Sequence, residues 1–415
     1  MAAAALPSFP EAARVVYDYA SKLLTRAART ERVPLDAAHG RILAQPILAD
    51  RDMPAFPRST RDGFAVRAAE ASAHKALAVV GSIRAGQPPA GVLPASSAWE
   101  IMTGAAVPEG ADAVAMLEHV EHEGKKIRLA KGRKLDRGEN VVPAAAEARS
   151  GDELIPIETR LTASHIAAAA TCGYADLEVF ARPHVAILTT GDELVPIDVS
   201  PGPAQIRNSN ASMLAALVTQ AGGNPWILPA AKDNAASIES ALYNTFDADM
   251  LLISGGVSAG KFDLVEPVLA SLGARFHFTG VRIQPGKPLV FGQLPRTGLT
   301  PLTLFGLPGN PISSAATFLL FASAVLRALA GAQPVPTQFA AAQLSRDAKG
   351  KPNLTRFIPA AVTSDPLSRE LPQVAPVPWQ GSGDLAAFAR ANCFIVVPEG
   401  ADRLPAGDIA RILPI

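Results

Sequence analysis

The chain has 415 residues, 48% of them hydrophobic, which exceeds one ordinary domain and supplies apolar material for about two to four cores. Its 38 basic residues balance 38 acidic ones, so no global positive field draws in nucleic acid. Cys172 and Cys393 stand far apart without metal-ligand spacing, as buried thiols of a reducing compartment do. With no basic n-region at the start, and with the longest apolar run, Ala315 to Ala330, interrupted by Ser323 and Arg327, the expectation is a cytoplasmic protein without a membrane partner.

Residues 8–28 have helical spacing, with Phe9, Ala13, Val16, Tyr17, Ala20 and Leu24 along one side. Short extended and helical pieces punctuated by proline follow, to about Val66. From Ala65 to about Val142 the pattern becomes short β runs, LAVVGSI, WEIMTGA, DAVAMLEHVEHEG and KKIRLA, separated by Gly and Pro. This predicts a small β-domain inserted in the chain. A strand, an Ala-rich helix with Thr162 at its N-cap, and another strand come next.

From Arg182 to about Gly331 strands alternate with helices. The strands are VAILTT, PWILP, MLLIS, RFHF and LTLFG, and the helices lie near 210–221, 235–246, 263–272 and 312–330. Such alternation predicts a doubly wound, parallel α/β sheet, whose ligands gather beyond the carboxyl ends of the strands. Past residue 332 proline is dense, and RFIPAAV and CFIVVP predict a second small β-domain.

The loops of the α/β region carry the chemistry. SGGVSAGKFD, ending at Asp263, is a glycine loop between a strand and a helix, where backbone N–H groups can cradle an anion. Gly255, Gly260 and Lys261 approach the nucleotide-binding P-loop, but Phe262 stands where a Ser or Thr is needed for magnesium. GLPGNPISS, Gly306 to Ser314, is a second such junction, with Asn310 suited to the N-cap and Pro311 to the first helical turn. Lys287, held between Gly286 and Pro288 in QPGKP, suits an oxyanion. Asp192, Glu193, Asp233 and Asp263 all fall at strand ends. Carboxylates beside anion-binding loops call for a bridging cation, and hard oxygen ligands point to magnesium. Each acid alone also reads as a cap or a solvated charge, and Asp62-Gly63 and Thr103-Gly104 alone read as turn dipeptides.

The ordered set of these stretches, from VPLDAAHGRILAQPILADRDMPAFPRSTRDGFAV through IMTGAAVPEGADAV, TTGDELV, SGGVSAGKFD, QPGKPLVFG and GLPGNPISS to QGSGDLAAFARANCFIVVPEG, resembles the molybdopterin molybdenumtransferase (molybdenum insertase) family over nearly the whole chain. The resemblance implies four regions: an elongated N-terminal domain (1–50 and 145–180), an inserted β-domain (51–144), an α/β molybdopterin-binding domain (181–331) and a C-terminal β-barrel (332–415). It implies a homodimer whose sites lie between one subunit's α/β domain and the other's inserted domain. The pathway's adenylyltransferase and recipient molybdoenzymes are further implied contacts. The implied reaction takes adenylated molybdopterin and molybdate to molybdenum cofactor and AMP with Mg2+; the alternative is a non-catalytic molybdopterin carrier.

Residue by residue, the resemblance places Asp62, Thr103, Glu193, Asp233, Asp263 and Lys287 in the catalytic set, with Glu193 and Asp263 on the metal. It places Gly255, Gly256, Val257 and Ser258 against the pterin phosphate, together with Gly306, Pro308, Gly309, Asn310, Pro311 and Ser313. Lys287, Arg356 and Ser382 are then expected around molybdate. Two positions depart from the family pattern: Gln284 replaces the first lysine of its KPGKP, which removes a charge and predicts weaker molybdate affinity, and Arg61 replaces an apolar residue before Asp-Gly.

Overall fold

The computed structural model describes residues 5–23, 29–88, 91–245, 247–256, 264–365 and 367–415. They form two compact units, one of Met1–Arg32, Gly40–Ala44 and Glu178–Ile415, the other of Val33–His39 and Gln45–Leu177.

The larger unit is built on a six-stranded sheet in the order Asn224–Ile227, His184–Thr189, Met250–Ser254, Leu302–Leu307, Val290–Leu294, Arg275–Phe278. The first four strands are parallel. The last two run antiparallel to their neighbours, so the sheet is mixed where a parallel one was expected. The reason is local: Val290–Leu294 is a strand that the alternation did not mark, because QPGKP leads into it directly without a crossover helix.

Strict alternation of apolar side chains covers both faces. Val185, Ile187, Met250, Leu252 and Phe305 face one core, which is shared with the helices Ser209–Gln220 and Pro311–Leu329. Ala186, Leu188, Leu251, Ile253 and Leu304 face the other, beneath Ala235–Tyr243 and Val265–Ser271. Every residue of Met250–Ser254 is buried. At about 1.5–3 kcal/mol for each large apolar side chain, this strand fixes the position of Gly255 and Gly256 at its end.

Phe9–Leu23 packs into the first of these cores. Its buried stripe is Ala12, Val16, Ala20 and Leu23, while Tyr17, expected on the inner side, is exposed. Pro311–Leu329 is long and apolar enough to cross a membrane, yet is mostly buried within the fold. Its middle, Phe318–Ala322, is a π turn, flanked by Thr317, whose hydroxyl donates to the Ser313 carbonyl, and by Ser323, whose hydroxyl donates to that of Leu319.

The C-terminal part of the same unit closes a five-stranded barrel from Thr355–Thr363, Gln373–Pro376, Ala340–Leu344, Ile409–Pro414 and Cys393–Val397, the last pairing back with the first. One two-residue strand, Ile283–Gln284, extends from the α/β region and pairs in parallel with Thr355–Arg356, setting Gln284 opposite Arg356.

The smaller unit carries a second six-stranded sheet, in the order Ala113–Met116, Gly63–Val66, Ser97–Ile101, Leu77–Ile83, Lys126–Leu129, Val120–Glu123. Five of these strands fall in the runs LAVVGSI, WEIMTGA, DAVAMLEHVEHEG and KKIRLA, and Gly63–Val66 joins them from the stretch before. The helix Ala163–Thr171 starts from Thr162 in a capping box completed by His165.

Candidate active site

At the carboxyl ends of the parallel strands the loops are fastened to one another by their own polar groups. The Thr190 N–H donates to the Ser254 carbonyl and that of Gly191 to the Ala231 carbonyl. The N–H groups of Asp192 and Asp233 donate reciprocally to each other's carboxylates at 3.4 and 3.3 Å. Asn208 caps Ser209–Gln220 through Ala211 N–H and donates from Nδ2 to Thr189 Oγ1 at 2.8 Å. Asn210 Nδ2 donates to Ser254 Oγ at 3.0 Å and to the Gly309 carbonyl at 2.6 Å. One side chain thus ties together the two junctions expected to cradle anions.

Their glycines are there for space. A Cβ on Gly255 (φ +104°) would meet the Thr190 carbonyl oxygen at 2.6 Å, and one on Gly256 (φ +63°) would meet Val265 Cγ2 at 2.8 Å. Gly286 (φ +107°) lets the QPGKP turn lie on the helix, where a Cβ would meet Thr317 Cγ2 at 2.5 Å.

A cavity of about 1240 Å3 opens among these loops. Glu193, Asp233, Gly255, Gly256, Lys287, Pro308, Gly309, Asn310, Pro311, Ser313, Arg356 and Ser382 all border it. Gly306 lies below, buried within its strand. Three buried polar atoms of lining residues have no hydrogen-bond partner among the described residues: Thr190 Oγ1, Gln284 Oε1 and Arg356 Nε. Arg356 Nη1 donates to the Lys349 carbonyl at 2.8 Å. Burial lowers the guanidinium's pKa from its ordinary value. Among the described residues no carboxylate pairs with Arg356, Lys287 or Arg207, another lining residue. Arg282, by contrast, is engaged by Glu399 at 3.2 Å and by the Leu6 carbonyl, so it does not replace the charge missing at Gln284.

The smaller unit brings together two further expected residues. Asp62 Oδ1 accepts from both the N–H and the hydroxyl of Thr103, at 2.6 and 2.9 Å. The backbone donor first, then the hydroxyl, hold its carboxyl below the usual pKa range.

Family models match three successive parts of the chain: residues 8–173 as MoeA N-terminal region (domain I and II), 186–328 as a probable molybdopterin binding domain, and 341–415 as MoeA C-terminal region (domain IV). A molybdopterin molybdenumtransferase of Bacillus subtilis is 35% identical over 403 residues, 94% of this chain and 91% of that protein. The chain belongs to the molybdopterin molybdenumtransferase family. A second relative of that name, from Nostoc, is 39% identical over 332 residues, 79% of this chain and 75% of its own. A molybdopterin biosynthesis moeA protein from Pyrococcus horikoshii OT3 superposes with a TM-score of 0.81 at 26% identity, covering 99% of this chain and 100% of that one.

Within this transferase family's architecture, two expectations about backbone donors need correction. The Gly255 N–H does not face the cavity, because it continues the parallel ladder to the Leu307 carbonyl at 3.1 Å. At the second junction Pro311 has no N–H, and that of Ile312 donates to the Ser382 carbonyl at 3.0 Å, docking the barrel loop on the helix start. Asn310 occupies the N-cap but makes no side-chain capping bond. Val257, Ser258 and Asp263 lie outside the described residues. No group of three metal-ligating side chains occurs among the described residues. Thr190, Arg207, Asn210 and Trp379 border the cavity without having been expected there. Asn210 was legible as part of the RNSNAS helix start, whereas Trp379 comes from a barrel loop with no local signal beyond the neighbouring QGSGD.

Proposed function

We propose that the chain inserts molybdenum into molybdopterin, taking adenylated molybdopterin and molybdate to molybdenum cofactor and AMP. The observation that carries this reading is the convergence, around one cavity, of three buried polar atoms without partners among the described residues, on Thr190, Gln284 and Arg356, with the cations Lys287 and Arg356, which no described carboxylate pairs. Buried polar atoms without partners are rare in folded proteins and suit a site that a polar ligand completes. The cavity exceeds the roughly 300–1,000 Å3 of ordinary small-ligand sites, as a nucleotide joined to a pterin together with an oxyanion requires.

Lys287, Arg356 and Ser382 would hold molybdate, with Arg356 offering a planar donor set and Lys287 a point charge. The loop backbone around Gly256, Gly309 and Ser313 would take the pterin phosphate. The bonds of Asn210 to Ser254 and Gly309 support catalysis by placement, in which two anions are brought together and their repulsion offset by fixed cations.

A divalent cation fits this donor set. Glu193 borders the cavity with Asp233, and magnesium takes one or two carboxylates plus phosphate oxygens and water rather than a full protein cage. Glu193 and Asp263 would hold it, and when bound it would neutralise phosphate charge on the leaving AMP. In a homodimer, Asp62 and Thr103 of a second copy would face this cavity, and their mutual hydrogen bonds would present the Asp62 carboxylate in one orientation.

The test is AMP release from adenylated molybdopterin with magnesium as molybdate is titrated. Molybdate-dependent release that is lost in Glu193→Ala supports insertion with a cation at that loop. Tight pterin binding without AMP release at any molybdate concentration would instead assign the chain as a carrier.

A further inference from the structure

The α/β region and the barrel meet in register at one point, where Ile283 and Gln284 pair in parallel with Thr355 and Arg356. Strands so paired lie about 4.8 Å apart, with register partners on the same side of the sheet. Gln284 and Arg356 are therefore side-by-side neighbours, and both border the cavity. Each carries one buried polar atom without a partner, and the two are complementary: Gln284 Oε1 accepts and Arg356 Nε–H donates. A buried donor and a buried acceptor on adjacent side chains can satisfy each other through rotation about side-chain bonds, with no backbone movement.

We propose that Gln284 is a positioning residue, whose side-chain oxygen accepts a hydrogen bond from Arg356 Nε and so fixes the guanidinium for an oxyanion in the cavity. With Nη1 held by the Lys349 carbonyl and Nε held by Gln284, the plane of the guanidinium is set at two of its three nitrogens. Nη2 is left to donate to the ligand. Gln284 then replaces the charge of the family's lysine by a neutral acceptor that orients a cation already present, since a fixed planar donor loses less freedom on binding than a free side chain does.

This inference rests on the oxyanion reading of the cavity, and its test separates the two. Molybdate is titrated into the full-length protein by calorimetry at neutral pH, and the arginine Nε–H signal of Arg356, identified by its loss in Arg356→Lys, is followed by NMR with and without molybdate. Gln284→Ala is expected to weaken molybdate binding about tenfold, the size of a lost hydrogen bond to a charged group. The same substitution in an Arg356→Lys background, which keeps the charge but has no Nε–H, is expected to change nothing further. The Nε–H should be protected from solvent exchange in the wild type and in Gln284→Glu, which retains an acceptor, and unprotected in Gln284→Ala. An equal loss of affinity from Gln284→Ala in both backgrounds would overturn the proposal, because Gln284 would then act on the ligand directly. So would an Nε–H that exchanges freely in the wild type under both conditions. A protected Nε–H in a wild type that binds no molybdate would leave the positioning role standing and remove the oxyanion reading instead.

Discussion

The two walls of the cavity are built on opposite terms. On the wall formed by the parallel strand ends, most polar groups are used up among themselves, Asn208 on Thr189, Asn210 on Ser254 and Gly309, Asp192 and Asp233 on each other's backbone, with Thr190 Oγ1 the exception. On the wall formed by residues 284–287 and Arg356, the cations lack carboxylate partners among the described residues and two buried polar atoms lack any. The first wall is a scaffold that loses stability when cut. The second retains bonding capacity for a ligand, so cutting it should reduce activity more than stability.

The largest effect should come from that second wall. Arg356→Ala removes a charged donor without leaving a buried carboxylate unpaired, so the fold should hold while molybdate-dependent activity falls. A charge-assisted bond contributes about 1.5–3 kcal/mol, which predicts a loss of roughly tenfold to more than a hundredfold in molybdate affinity. Thermal unfolding measured beside the molybdate titration decides the matter. A collapse in Tm with unchanged affinity in the remaining folded protein would reverse the contrast between the walls.

An intermediate effect belongs to the scaffold. Asn210→Ala deletes two hydrogen bonds and leaves the buried Ser254 hydroxyl with only a long 3.4 Å bond to the Pro308 carbonyl. The expected destabilisation is about 1–3 kcal/mol, measurable by denaturant unfolding. The two junctions should also lose their common reference point, so activity falls with stability. Stability within error of the wild type would show that the junctions are held by packing alone.

The sheet edge was legible because its signals are local. MLLIS is continuously apolar, its loop is rich in glycine, and the same order of apolar strand, polar loop and helix recurs at LTLFGLPGNP. The antiparallel edge was not legible, since a strand following directly on QPGKP has no crossover helix to announce it. Arg356 was reached by resemblance, and nothing local marks it as facing Gln284, because that register is set by a two-residue pairing across about seventy residues of chain. The backbone donors expected at Gly255 and at the second junction were misjudged for a related reason. Motif reading places N–H groups at a junction but cannot tell which of them a neighbouring carbonyl already occupies, here Leu307 and Ser382.

The smallest effect gives the finest test of the difference between a bonded and an unbonded polar group, because it uses two adjacent threonines of one wall. Thr189 and Thr190 are both buried at the end of one strand. Thr189 Oγ1 accepts from Asn208, the N-cap of the next helix, whereas Thr190 Oγ1 has no partner among the described residues, and its residue borders the cavity. Replacing each hydroxyl by a methyl group of similar size separates the two cases. Thr189→Val strands the Asn208 amide and should cost about 1 kcal/mol. Thr190→Val removes an unsatisfied buried oxygen, so stability should be unchanged or rise by up to about 1 kcal/mol, since exchanging an orphaned polar atom for an apolar one removes its desolvation penalty. Activity should respond in the opposite order, with Thr190→Val impaired in substrate affinity and Thr189→Val close to wild type. Equal destabilisation by the two variants would mean that Thr190 has a partner within the fold, which would make its hydroxyl part of the scaffold and leave only the Gln284–Arg356 wall open to a ligand.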